Sequence, residues 1–139
     1  MAKRKNGYYA VVLNEESANR LRALAVHEIV HCHHLTLVSK LRVGDNDDVY
    51  WSHRLGEVLE LRVVGIAMDD KGQAVYIPEA PSAKKFPHVT VSCAEGVPPV
   101  YSNELLERAM TGSAIEPLDM KLLGTICLVR HGGGKSGSK

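Results

Sequence analysis

Apolar residues along this chain fall into two rhythms, and the changes between them mark the elements. Residues 8–13 (Tyr-Tyr-Ala-Val-Val-Leu) are a run of β-formers and predict a strand. Asn14 follows as an N-cap, with Glu15 and Glu16 in the first turn. Ala18, Leu21, Leu24 and Ala25 then recur at helical spacing and predict a helix to about Val26 or His27. Residues 29–40 return to β-formers and read as a strand. Residues 43–48 are polar and acidic, with Gly44 and Asn46 as breakers, and read as a turn continuing into a loop at Tyr50-Trp51-Ser52-His53. Residues 57–68 alternate through Val58, Leu59, Leu61, Val63, Val64 and Ile66 and predict a strand. Asp69-Asp70-Lys71-Gly72 is a hairpin turn, and 73–77 is its returning strand. A Pro-rich connection, 78–87, leads to a strand at 88–93. After a turn at 95–99, Ser102 or Asn103 caps a short helix through Met110, and 117–119 leads to a last strand at 121–130. The order is strand, helix, strand, hairpin, strand, helix, strand, which predicts an α+β protein with roughly two similar halves.

Composition changes this picture little. At 139 residues, 45% hydrophobic and 24% charged, the chain has the size and balance of one globular domain. We expect a basic disordered arm at 1–6, a domain at 7–130, and a flexible Gly/Ser/Lys tail at 131–139. No apolar run approaches the roughly 18 residues of a membrane span, and no signal-like segment follows the basic head. A cytoplasmic protein with no membrane partner is therefore expected. Cys32, Cys93 and Cys127 are an odd number without metal spacing, which fits free buried thiols in a reducing interior. Five of the 17 basic residues lie in the tails (Lys3, Arg4, Lys5, Lys135, Lys139), leaving 12 against 16 acidic residues over 6–134, a net of −4. A body of that sign suits a small nucleotide better than a long nucleic-acid backbone.

Chemistry enters through a phrase said twice. His34-Leu35-Thr36-Leu37 and His88-Val89-Thr90-Val91 each read His, apolar, Thr, apolar, and stand 54 positions apart inside predicted strands. Side chains alternate across a strand, so each copy offers an imidazole and a hydroxyl on one face. In-line cleavage of a phosphodiester needs a base for the nucleophile and an acid for the leaving oxygen. Two imidazoles with pKa near about 6.5 can divide those tasks, while Thr36 and Thr90 direct hydroxyls at the non-bridging oxygens. No metal or cofactor is required. One such motif alone is ordinary strand sequence; the pairing is what carries information.

Three other patterns compete. His27-Glu28-Ile29-Val30-His31 fits the zinc-protease signature, but that signature needs a continuous helix, and β-branched Ile29 and Val30 break one. Gly134-Lys135-Ser136 ends like a phosphate-binding loop, yet Val129 stands where its first Gly belongs and no helix can follow. Lys84 and Lys85 read as a solvated pair, with substrate phosphates as the alternative partner. Trp51, beside Tyr50, is either a lid that stacks on a base or a small core under a loop.

The paired motifs resemble those of the 2H phosphoesterase superfamily, which includes 2′–5′ RNA ligase-like proteins and cyclic phosphodiesterases. Residues 7–13 are similar to the family's opening strand, and Phe86-Pro87-His88-Val89-Thr90 to its second motif with a preceding Pro. Residues 99–106 (Pro-Val-Tyr-Ser-Asn-Glu-Leu-Leu) and 122–126 (Leu-Leu-Gly-Thr-Ile) resemble the branch called Swiss-army-knife RNA-repair-like. Phage nucleases that degrade the cyclic oligonucleotide signals of bacterial anti-phage defence are similar to that branch. The likeness spans roughly residues 7–130. It implies a two-lobed α+β fold with pseudo-twofold symmetry and a central groove, and His34 and His88 as a metal-independent acid/base pair. It implies a cyclic di- or trinucleotide substrate, with 2′,3′-cyclic phosphate RNA ends and 2′–5′ linked oligonucleotides as rivals. A phage origin would place the activity in the host cytoplasm. Tyr8 or Tyr9 and Trp51 become candidates for stacking on bases, and Tyr101 and Asn103 for further substrate contacts. A nucleotide-sequestering binding module is the reading from another class, and the two imidazoles count against it. Oligomeric state and the division of roles between the histidines stay open.

Overall fold

The computed structural model describes residues 3–130. Its elements run β1 (Tyr8–Leu13), α1 (Glu15–Arg22), β2 (Ile29–Val30), β3 (His34–Val38), α2 (Asn46–Ser52), β4 (Val58–Met68), β5 (Gly72–Tyr76), β6 (His88–Cys93), α3 (Tyr101–Thr111) and β7 (Glu116–Val129). The protein is α+β. Strands pair in the order β6-β3-β1-β7-β4-β5, and β5 pairs back to β6, closing a six-stranded barrel. The short β2 adds beside β6, and every pairing is antiparallel. Closure removes the free edges that an open sheet of this size would have to protect. Among the described residues, no helix is long and apolar enough to cross a membrane.

Alternation decides which side chains fill the barrel. Val11, Leu35, Val75 and Val89 lie in one row across four neighbouring strands and are each 0% exposed. Leu37, Leu61, Val63, Val91, Leu122 and Ile126 pack in the same core. A second apolar cluster forms outside the wall, where Leu105, Leu106 and Ala109 of α3 cover Ala67 and Ala74. Gly124 lets β7 approach β1, since a Cβ there would meet Val11 Cγ1 at 2.6 Å and the Val12 carbonyl at 2.7 Å.

Two strand pairs repeat one another position for position. On β1–β3, Tyr9, Ala10, Val11 and Val12 face Val38, Thr36, Leu35 and His34. On β5–β6, Gln73, Ala74, Val75 and Tyr76 face Ser92, Thr90, Val89 and His88. A shift of 64 on one strand and 54 on the other superposes the registers. Even the bulge recurs, after Tyr9 and after Gln73.

Several elements depart from the pattern-based expectation, each for an identifiable reason. The Asn14 cap forms, its side chain accepting from Ser17 N at 2.8 Å, but α1 stops at Arg22. Buried Gln73 ends the helical path by donating to the Leu24 carbonyl (2.8 Å) and accepting from Val26 N (3.0 Å). The stretch 29–40 is broken into two strands at Cys32, whose φ is +51°. Residues 46–52 are a helix: Asp45 caps it through Asp48 N, and Asp47 and Asp48 sit favourably in its first turn. Ser102 and Asn103 lie inside α3, whose cap position is Val100 with no side-chain cap bond. β7 begins at Glu116, with Pro117 near its start, where a missing N–H is tolerated beside the β4 bulge.

The arm expected at 1–6 is not loose in its described part. Val43 N donates to the Lys3 carbonyl and Lys5 N to the Leu41 carbonyl, both at 2.8 Å, and Lys5 Nζ pairs with Asp48 at 3.0 Å. The tail expected at 131–139, with Gly134-Lys135-Ser136, lies outside the described residues.

Candidate active site

Both His-x-Thr motifs face outward from the barrel wall, because their apolar members Leu35, Leu37, Val89 and Val91 are drawn inside it. β3 and β6 are neighbours, with Leu35 opposite Val89. That antiparallel register sets His34 against Thr90 and Thr36 against His88, so the histidines are diagonal neighbours, about 7–8 Å apart by ordinary sheet geometry. All four side chains line one cavity of about 650 Å³, together with Tyr8 of β1, Asn103 of α3 and Pro98–Val100.

Each motif residue is held differently. The ring of His88 donates Nδ1–H to the Phe86 carbonyl at 2.7 Å, leaving Nε2 to work. The ring of His34 has His33 Nδ1 at 2.9 Å from its own Nδ1, and the Tyr8 hydroxyl at 3.4 Å from its Nε2. Thr90 Oγ1 shares a hydrogen bond with Ser102 Oγ at 2.8 Å. The Thr36 hydroxyl makes no hydrogen bond among the described residues.

The kink at Cys32 adds residues that strict alternation hides. In an unbroken strand His33 and His34 would face opposite sides. Cys32, with its positive φ, instead turns its own side chain into the core while His31, His33 and His34 all reach the cavity. The kink is tied to β6 by His31 N to the Val91 carbonyl (2.9 Å) and Cys32 N to the Thr90 carbonyl (3.0 Å). His31 Nε2 is buried and has no hydrogen-bond partner among the described residues.

Burial decides the charge state of these rings. His34 is pushed down from 6.5 to about 4, first by desolvation and then by His33, His88 and His31 around it. Desolvation also lowers His31, His33 and His88, the last opposed by its bond to the Phe86 carbonyl. At neutral pH the four imidazoles are therefore uncharged. Lys84, its Nζ 3.3 Å from Ser39 Oγ, supplies a cation, and no carboxylate lines the cavity among the described residues. The arrangement favours an anion carrying aromatic or apolar groups.

The substrate-contact candidates divide. Tyr8 and Asn103 line the cavity. Tyr9 does not: it is 1% exposed inside the barrel, its hydroxyl donating to Asp48 Oδ1 at 2.7 Å. Neighbours on a strand face opposite sides, so burying Tyr9 is what turns Tyr8 outward. Trp51 is packed into the main core from α2, with Tyr50 edge-on and Arg54 over its ring, away from the cavity. Tyr101 also lies elsewhere; its ring covers Gly72 and its hydroxyl donates to Asp69 Oδ2 at 2.5 Å. Of the two lysines, Lys84 lines the cavity and Lys85 lies over the Phe86 ring. Sequence patterns do not single out His31, His33 and Ser39 for this cavity; only the local crowding of histidines hints at the first two.

Residues 27–31 are not helical, and His27 turns away to the Asp69 carbonyl at 2.8 Å. Among the described residues, no three His, Cys, Asp or Glu side chains are grouped to hold a metal, and all three cysteines are free. Compared with protein-family models and with curated proteins, the sequence matches none.

Proposed function

We propose that this protein is a metal-independent phosphodiesterase of the 2H type, acting on a cyclic di- or trinucleotide signal. The observation that carries the reading is the convergence of His34, Thr36, His88 and Thr90 on one cavity from two adjacent strands. In the proposed reaction one imidazole takes the proton of a ribose 2′-hydroxyl as its oxygen bonds to phosphorus. The P–O5′ bond breaks, and the other imidazole, protonated, gives its proton to the leaving 5′ oxygen. The product is a linear nucleotide ending in a 2′,3′-cyclic phosphate, which water can open afterwards. Thr36, Thr90 and Lys84 hold the non-bridging oxygens, where charge is greatest. Tyr8 stacks on a base.

The depressed imidazole pKa values agree with this division of labour. An arriving phosphate brings the negative charge that stabilises one imidazolium, so the acid is created by its own substrate. A small substrate is favoured by the size of the cavity and by the net −4 of residues 6–134. The same reading treats the barrel as two lobes related by a pseudo-twofold axis between β3 and β6, with the cavity as its central groove. Its support is the shared register and shared bulge of β1–β3 and β5–β6. A protein of this kind would act in the cytoplasm, or in the host cytoplasm if phage-encoded.

The test is incubation with a panel of cyclic di- and trinucleotides in excess chelator, with products read by mass spectrometry. Linear products, absent with His34→Ala, are expected. No turnover of any cyclic nucleotide, with cleavage of RNA 2′,3′-cyclic phosphate ends or 2′–5′ links instead, would reassign the substrate. Release of unchanged ligand after denaturation would replace catalysis by sequestration.

A further inference from the structure

We propose that His33 is a positioning residue for His34: its ring accepts the Nδ1–H of His34 and so keeps the hydrogen off His34 Nε2, whose lone pair faces the cavity. The consequence for turnover rests on the two-histidine reading above; the tautomer itself does not.

The two motifs solve one problem in different ways. A neutral imidazole is a base only at the nitrogen that carries no hydrogen, so for Nε2 to take a proton something must bind the hydrogen on Nδ1. For His88 that acceptor is the carbonyl of Phe86, two residues earlier, at 2.7 Å. A carbonyl can only accept, so Nδ1 of His88 carries the hydrogen. The residue two before His34 is Cys32, where φ is +51°. His34 makes no hydrogen bond to that carbonyl among the described residues, and the His33 ring stands at its Nδ1 instead, 2.9 Å away with the rings edge to face.

Two nitrogens in contact share one hydrogen, so one ring donates and the other accepts. The Tyr8 hydroxyl beside His34 Nε2 favours one direction. Burial raises the phenol pKa, so the hydroxyl keeps its proton and can donate to His34 Nε2 across 3.4 Å. With Nε2 accepting, the hydrogen of neutral His34 sits on Nδ1 and points at His33 Nδ1, whose own hydrogen is on Nε2. The chain then runs Tyr8 O–H to His34 Nε2, and His34 Nδ1–H to His33 Nδ1. Both motif histidines present the same nitrogen to a phosphate. The other titratable groups acting on His34 are His88 across the strand pair and His31 in the kink.

His33 is exposed, so its replacement tests the idea without opening the core. Long-range proton–nitrogen NMR on the ¹⁵N-histidine-labelled full chain, substrate absent, reads the tautomer of each ring. Wild type at about pH 7.5 should show His34 hydrogenated on Nδ1. His33→Asn, whose Oδ1 takes the place of Nδ1, should preserve that state, whereas His33→Leu should shift it toward Nε2–H. Turnover should fall about tenfold in His33→Leu, the scale seen when an imidazole loses its orienting partner, and recover in His33→Asn. An Nε2–H tautomer in wild type, or an Nδ1–H tautomer undisturbed in His33→Leu, overturns the proposal. The expected tautomers in a protein that cleaves no phosphodiester would uphold His33 and refute the phosphodiesterase reading instead.

Discussion

Acidification from about pH 7 to about pH 5 should destabilise this fold through His34 in particular. The ring sits largely buried on the barrel wall, and its pKa falls from 6.5 to about 4. An unfolded chain keeps the ordinary value, so below about pH 6.5 the unfolded state takes up a proton that the folded state refuses. The stabilisation is thus complete above about 6.5, declines as pH falls, and is exhausted once folded His34 titrates near 4. At about 1.4 kcal/mol per pH unit the full loss is roughly 3 kcal/mol, of which roughly 2 kcal/mol is spent by pH 5. Against a domain stability of about 5–15 kcal/mol this is easily measured. His31, His33 and His88 are lowered too and add loss of the same sign. The comparison that isolates His34 is wild type against His34→Asn, by urea unfolding at pH 7.5, 6 and 5. The variant should lose less than wild type, the difference between the two widening by roughly 2 kcal/mol across the series. Parallel losses would show that His34 is not held neutral by its surroundings, and the electrostatic account of the cavity would fail with it.

Other consequences are independent of that one. Tyr9→Phe removes a buried bond to Asp48 and should lower stability by about 1–3 kcal/mol in thermal unfolding, with KM unaffected. Tyr8→Ala should do the reverse, raising KM about tenfold, the scale of one lost base–aromatic stack. Gly124→Ala places a methyl 2.6 Å from Val11 Cγ1 and should cost about 1–3 kcal/mol, read from the unfolding midpoint. Because free His34 and His88 both titrate below 6.5, kcat/KM should peak on the acid side of 6.5 and fall as pH rises. The kcat profile, taken with phosphate in place, should lie at higher pH; coincident profiles would contradict substrate-induced protonation.

Much of the barrel is legible in local pattern, because local pattern is what makes a strand two-faced. Alternation in β6 is enough, from residue types alone, to set His88 and Thr90 on the face opposite Val89 and Val91. The Asn14 cap is visible for the same local reason. What escapes the pattern is decided at a distance. The helix after Asn14 ends early because Gln73, 49 residues from Leu24, takes up its backbone groups. The acidic residues at 45–48 read as a turn although they are a cap and first turn, and one of them, Asp48, is fixed by Tyr9 and Lys5 of the first strand and its leader. The choice between Tyr8 and Tyr9 cannot be made locally either, since only closure of the barrel says which face is inside. His31 and His33 are hidden by the one residue that breaks alternation, Cys32, whose backbone conformation no pattern of types announces.

The central claim is that His34 and His88 divide the two proton transfers of one cleavage between them. Its most direct test is the turnover of His34→Ala and His88→Ala on whichever phosphodiester the wild type cleaves, with folding of each variant checked by circular dichroism. Each substitution should cost about a hundredfold or more in rate while leaving the fold intact. Near-wild-type turnover by a folded His88→Ala protein would contradict the account.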